Sequence, residues 1–234
     1  MRPKRLALVA LLLGAAACVR SAGRPVDAEV TFATRPEHGG FTIDRLHDGA
    51  TGVLTPRGWF RMPDAPTFVL RSDGEDRAAL WLVGRSRVLV RSERSTIAPR
   101  TGEVLSTWDD GAIRLDLWSR DGSTLRTDTF VRDGDGSRPA TLGRAAGART
   151  DLRGTYRATV RDGQGAAVGW IRVRIGRDGD AARAYDARLP AGVEDGLAAA
   201  AAVALDREIG WIEEHVADDS PDAAGVPAGP SMRR

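Results

Sequence analysis

From about residue 28 to residue 190 the chain alternates apolar and polar positions in short runs. Ile113, Leu115 and Leu117 interleave with Arg114, Asp116 and Trp118. Leu125, Thr127, Thr129 and Val131 interleave with Arg126, Asp128 and Phe130. Tyr156, Ala158 and Val160 interleave with Arg157, Thr159 and Arg161, and Ile171, Val173 and Ile175 with Arg172 and Arg174. A period of two sends one set of side chains to a core and the other to water, so these segments predict half-buried strands. Ala78 to Val83 is apolar at every position, which predicts a strand covered on both faces. Phe68-Val69-Leu70 and Val88-Leu89-Val90 are its expected neighbours. The Asp-Gly pair occurs nine times, beginning at residues 48, 73, 110, 121, 133, 135, 162, 178 and 195. Several pairs fall between strand-like runs, where a type I′ turn needs two residues that tolerate positive φ.

The period changes after Pro190. Leu197, Ala201, Leu205, Ile209, Ile212 and Val216 recur every three to four residues, the stripe of an amphipathic helix over about 193–217. Ala198 to Ala202 adds intrinsic propensity. Asp195 is the expected N-cap, and Asp206, Arg207, Glu213 and Glu214 the expected wet side. Residues 133–150 are rich in Gly, Ala, Ser and Pro and read as a long loop. The expected organisation is a β-rich domain over 28–217, with sub-units 28–132 and 151–217 on either side of that loop, then a disordered tail over 218–234. The fold class is mainly β (α+β): an antiparallel β-meander or curved sheet packed by one C-terminal helix.

The first 27 residues follow a different pattern. Arg2, Lys4 and Arg5 precede an uncharged apolar run from Leu6 to Ala17, then comes Cys18, the sole cysteine. The run is too short to span hydrocarbon, which takes about 20 apolar residues. A basic n-region, an apolar h-region and small residues at the cut make residues 1–17 a secretory signal. Ala15-Ala16-Ala17-Cys18 resembles the lipobox of bacterial lipoproteins, with Ala15 where that class usually carries Leu. The resemblance implies a diacylglycerol thioether and an acylated amine on Cys18, residues 18–27 as a lipidated tether, and a lasting membrane anchor. The same tripeptide also fits an ordinary A-x-A cleavage site, which would give a secreted or periplasmic protein. Residue 19 is Val, and not the Asp that resembles an inner-membrane retention signal. The expected location is therefore the bacterial cell envelope, on the outer membrane facing the periplasm.

Composition narrows the chemistry. Without Arg2, Lys4 and Arg5, the 34 basic residues fall to 31, against 32 acidic ones. That balance gives nucleic acid no basic surface to bind. Lys4 is the only lysine and there is no asparagine. After the signal there is then no Schiff-base lysine, no P-loop lysine and no Asn-linked glycan site. An acylated Cys18 leaves no disulfide, no thiol nucleophile and no cysteine zinc site.

Other clusters carry weaker signals. His38 and His47 lie near Glu37, Asp44 and Asp48, but at no zinc-motif spacing, and read as solvated loop and strand-edge residues. His215 stands alone on the helix. Asp133-Gly134-Asp135-Gly136-Ser137 has alternating carboxylates, but Arg138 and Arg144 stand where a calcium loop needs Gly and Glu. Gly163, Gly165 and Gly169 precede a strand, whereas a dinucleotide fingerprint needs a helix start. Trp108-Asp109-Asp110-Gly111 reads as a turn. No G-x-S-x-G elbow is present. Metal and cofactor sites are not expected.

Arginines on the wet strand faces remain. Arg85, Arg87 and Arg91 share a face, as do Arg157 with Arg161 and Arg172 with Arg174. On neighbouring strands Arg157, Arg161, Arg172 and Arg174 would form a guanidinium array for phosphates or carboxylates. Lipopolysaccharide or an acidic wall polymer is the natural partner, and another envelope protein the alternative. Of six tryptophans, Trp81 and Trp211 fit core positions. Trp118 and Trp170 fall opposite the aliphatic rows and are the candidates for an exposed contact. Residues 169–202 run strand, Arg177-Asp178-Gly179 turn, strand to Leu189-Pro190, then Ala-rich helix. That order is similar to the C-terminal domain of TonB-type energy transducers, without the aromatic-Pro strand that follows there, and implies a small interaction module.

The expected function is a membrane-anchored envelope lipoprotein acting as a non-catalytic binding or scaffolding module. Two alternatives stand beside it. A curved meander with a helix across its mouth would resemble the half-barrels of outer-membrane lipoprotein carriers, with an apolar cavity under the helix. A hydrolase would need two carboxylates about 5 to 10 Å apart in one cleft.

Overall fold

The computed structural model describes residues 30–37, 39–56, 66–92, 101–134, 140–143, 152–176 and 183–218. The signal, Cys18, the tether, His38 and the tail beyond 218 lie outside the described residues. Among the described residues thirteen strands precede one helix: β1 (Val30–Glu37), β2 (Gly40–Arg45), β3 (Gly52–Pro56), β4 (Phe68–Ser72), β5 (Glu75–Val83), β6 (Arg87–Ser92), β7 (Gly102–Asp109), β8 (Ala112–Ser119), β9 (Thr124–Thr127), β10 (Val131–Arg132), β11 (Gly154–Arg161), β12 (Ala167–Ile175), β13 (Arg183–Leu189) and α1 (Asp195–Asp218).

The strands form an antiparallel meander that closes on itself. Within β1 to β9 and within β10 to β13 consecutive strands pair, and β13 returns to β1 with Val30 opposite Leu189 and Phe32 opposite Ala187. The second seam is β11. Its Val160 faces Thr127 of β9, while its Tyr156 and Arg157 face Arg132 and Val131 of β10. Strands β9 and β10 therefore share one position, and the barrel has twelve positions in all. The curved sheet expected from sequence is thus a closed barrel, and closure leaves no free edge strand among the described residues. Two hairpins use Asp-Gly as expected. Asp73 and Gly74 turn at φ 54° and 80°, and Asp110 and Gly111 at 48° and 75°. Both residues sit in the left-handed region, as a two-residue hairpin turn requires.

The aliphatic rows point inward into a single core that contains Leu54, Leu70, Leu80, Val88, Leu115, Leu117, Val160 and Val173. Charged rows point outward and pair across strands, as in Arg87–Glu103, Arg126–Asp116 and Arg172–Asp186. A membrane-spanning barrel has the reverse order, with an apolar band facing lipid.

Helix α1 threads this core. Every residue from Leu197 to Leu205 is buried, so no face of that stretch is wet. A helix apolar on all sides belongs inside a core. The amphipathic stripe expected from sequence describes only the last turns, where Glu213, Glu214 and His215 are exposed. Side-chain size explains the alanines. A Cβ added at Gly196 would lie 2.8 Å from Ala78 Cβ and 2.9 Å from Val90 Cγ1, and one at Gly102 would lie 3.1 Å from Leu197 Cδ1. Where the wall comes this close, only small side chains fit between helix and strand. From Asp195 to Glu213 the helix advances about 27 Å at 1.5 Å per residue.

Three further expectations change. Strand β5 is not covered on both faces: Leu80 is buried, Val83 is 44% exposed, and Trp81 lies outside beneath the Arg91 guanidinium. Strand β9 ends at Thr127, and the phase then slips, so that Phe130 is fully buried. Within the Gly- and Ala-rich stretch, Leu142 is also fully buried. Its N–H donates to Phe130 O (2.8 Å) and its carbonyl accepts from Ile113 N–H (3.0 Å).

Candidate functional site

The outer wall over β11, β12 and β13 gathers most of the residues singled out from sequence. Arg157 faces Arg172, which faces Asp186, so the three form one cross-strand row. Asp186 is buried and accepts from Arg172 Nε (3.0 Å) and Nη2 (2.7 Å), while Arg174 Nη2 stands 3.4 Å away. Arg157 and Arg172 both lie over the Trp170 ring, at 5.0 and 5.2 Å from its centroid. Arg172 and Arg174 thus share one carboxylate beside an aromatic ring that Arg157 also covers, a surface with cation excess. Arg161 stands apart. It grips Asp128 through Nε (2.8 Å) and Nη2 (2.8 Å), and that bond holds the Asp128 carboxyl below its ordinary range. Trp118 is not brought to this wall; it lies in β8, opposite Glu103 and Thr124. Arg87 and Arg91 are likewise engaged elsewhere, by Glu103 and Trp81.

At the mouth where α1 begins, His47 in the β2–β3 turn meets Asp195. The buried Asp195 carboxylate accepts from His47 N–H at 2.9 Å and also contacts Nδ1 of the same ring. Asp195 therefore does not cap the helix with its side chain. The Glu194 carbonyl opens the helix instead, accepting from Leu197 and Ala198. Neither the solvated reading of His47 nor the cap reading of Asp195 anticipates this tie. Around it lies an open cleft of about 1030 Å³, bordered by Arg71, Arg77 and Glu194. Arg77 is committed to Asp48 (2.5 Å), and that bond, with the Ala50 N–H, lowers the Asp48 carboxyl.

At the opposite mouth α1 is held by two polar clusters. Glu208, with no exposed surface, accepts from Ser106 Oγ (2.6 Å) and Trp108 Nε1 (3.1 Å), with Arg85 Nε at 3.5 Å. Asp206 accepts from Arg183 Nη1 (2.9 Å) and Tyr185 Oη (2.6 Å), and Arg183 also reaches Glu213. Burial, then the Asp206 charge, pushes the Tyr185 phenol well above its ordinary range. Burial alone would lower Arg183, but Asp206 and Glu213 outweigh it and hold the guanidinium charged. Trp211 is partly buried against the core: Arg85 covers one approach at 4.3 Å, His215 stacks at 4.3 Å, and Trp108 meets it edge-on at 5.6 Å.

Among the described residues no group of three His, Cys, Asp or Glu side chains is arranged to hold a metal ion. Compared with known protein families, curated proteins and solved structures, the chain matches none.

Proposed function

We propose that the protein is a non-catalytic binding module of the bacterial cell envelope, tethered through lipid on Cys18, and that the β11–β13 wall binds an anionic envelope component. The observation that carries this reading is the wall itself, where Arg172 and Arg174 share a single carboxylate, Asp186, and Arg157 lies with Arg172 over Trp170. Guanidiniums grip phosphate or carboxylate bidentately, and an adjacent ring adds stacking area. The filled lumen speaks against the carrier alternative. Where α1 is buried on every side from Leu197 to Leu205 the axis is occupied by the helix itself, which leaves clefts at the two mouths.

Two measurements test the two halves. Palmitate labelling of the wild type and of Cys18→Ala reports the anchor: label on the first and none on the second is expected, and an unlabelled wild type overturns it. Flotation of the soluble domain with vesicles containing lipopolysaccharide, against phosphatidylcholine vesicles, reports the wall. Arg157→Ala with Arg174→Ala leaves the Arg172–Asp186 pair intact. The double variant should lose at least about tenfold in binding, with a salt dependence shallower than wild type. Unchanged binding would remove the wall from the account.

A further inference from the structure

A second cleft, of about 660 Å³, opens at the far mouth between the flank of α1 and strands β1, β2, β4 and β5. Its volume is within the range of small-molecule sites, about 300–1,000 Å³. The inner part is apolar. Phe41 and Phe68 meet edge-to-face with centroids 6.0 Å apart, and Leu82 and Val203 complete that surface. The rim is polar, and its charges are unevenly matched. Asp206 is neutralised by Arg183 and accepts a hydrogen bond from Tyr185, and Arg35 is paired with Asp44 at 2.9 Å. Glu37 has its own interaction. Arg207 does not: among the described residues no carboxylate lies within ion-pair reach of it, although its side chain is half-buried on the helix.

That imbalance is a chemical signal. Several half-buried arginines of this barrel have a carboxylate beside them, as Arg77 has Asp48, Arg114 has Asp109 and Arg172 has Asp186. Removing a guanidinium from part of its water without an acceptor costs free energy, so an unmatched one beside an apolar pocket points to an acceptor that is not part of the chain. The apolar inner surface specifies the rest of that molecule, because the half-buried Leu82 and the exposed edges of Phe41 and Phe68 are what an apolar group would cover.

We infer that this cleft binds a small amphipathic carboxylate, with its hydrocarbon part against Phe41, Phe68 and Leu82 and its carboxylate on Arg207. The site is independent of the β11–β13 wall and holds or falls without it. Both the cleft and the cation come from the threaded helix, since α1 supplies Val203 and Arg207 while the barrel supplies the aromatic pair.

Calorimetric titration of the folded domain with decanoate, decanol and decyltrimethylammonium tests the inference. One saturable decanoate site is expected, with decanol at least about tenfold weaker and the cation unbound. Arg207→Met keeps the stem and the helix propensity; it should weaken decanoate about tenfold and leave decanol unchanged. Leu82→Ala should weaken decanoate and decanol together, with a cooperative melt confirming that the fold is kept. Absence of saturable decanoate binding, or decanoate binding indifferent to Arg207→Met, overturns the proposal.

Discussion

Glu208 Oε1 accepts a hydrogen bond from Ser106 Oγ at 2.6 Å with no solvent reaching the carboxylate. The two residues join the middle of the threaded helix to the wall at β7. Trp108 donates to the other carboxylate oxygen at 3.1 Å, and Arg85 supplies positive charge from the β5–β6 turn. A charge this deep is tolerated only with its acceptor sites filled. It also fixes how far α1 slides along the lumen, a role the surrounding alanines cannot fill because one alanine packs much like the next.

Glu208→Ala should therefore destabilise the domain by about 2–3 kcal/mol, because two buried donors lose their acceptor. Trp108→Phe removes one donor and keeps the ring, and should cost about 1 kcal/mol. Chemical denaturation of both variants checks the order; a Glu208→Ala protein as stable as wild type would mean the contact does not pin the helix.

Gly196 tests the fit at the other end. A methyl group there would meet Ala78 Cβ and Val90 Cγ1 inside 3.0 Å, so the strands or the helix must move. Overpacking costs about 1–3 kcal/mol, against at most about 1 kcal/mol gained when a glycine leaves a helix. Gly196→Val, which adds bulk without that gain in full, should lower the denaturation midpoint clearly. A stability equal to or above wild type would show that α1 does not approach β5 and β6 so closely.

Acid should weaken the fold through identified carboxylates. Hydrogen bonds from Arg77 to Asp48 and from Arg161 to Asp128 lower those two carboxyls. The Ser119 hydroxyl, then the Ser123 N–H, bring Asp121 down to about 2. A carboxyl depressed in the folded state binds protons more readily when unfolded. Its contribution is complete above the unfolded value, near 3.9, and fades as pH falls through the folded value. Melting temperature should thus hold steady from pH 7 to about 5 and drop between about 4 and 2. Asp128→Asn should flatten part of that drop, and a wild-type melting temperature flat down to pH 2 would contradict the assignment.

The strands were legible in the sequence because a period of two is a local signal. The rows at Ile113–Leu117, Tyr156–Val160 and Ile171–Ile175 point inward as their alternation requires. Closure was not legible, because it depends on pairing Val30 with Leu189 and Thr127 with Val160, far apart along the chain. The helix is legible in the sequence, and its surroundings are not. Alanine scores as neutral in any pattern, so Ala198–Ala202 left a one-sided stripe visible where the true environment is apolar on every side. The wall arginines could be placed on outward faces, yet their division of Asp186 required the β12–β13 register. His47 with Asp195 and Arg207 with the aromatic pair could not be read at all, since each brings together residues from opposite parts of the chain.

The position of α1 within the barrel carries the rest, and Ala199 reports it most directly because it lies opposite the stripe of Leu197, Ala201 and Leu205. In a Cys18→Ser background, the thiols of Ala199→Cys and, as an exposed reference, Glu213→Cys are titrated with a maleimide under native conditions. A threaded helix predicts that the first reacts at least about a thousandfold more slowly than the second, since only unfolding or deep opening can expose it. Labelling of both at rates within about tenfold of each other would place the helix on the outside and contradict the account.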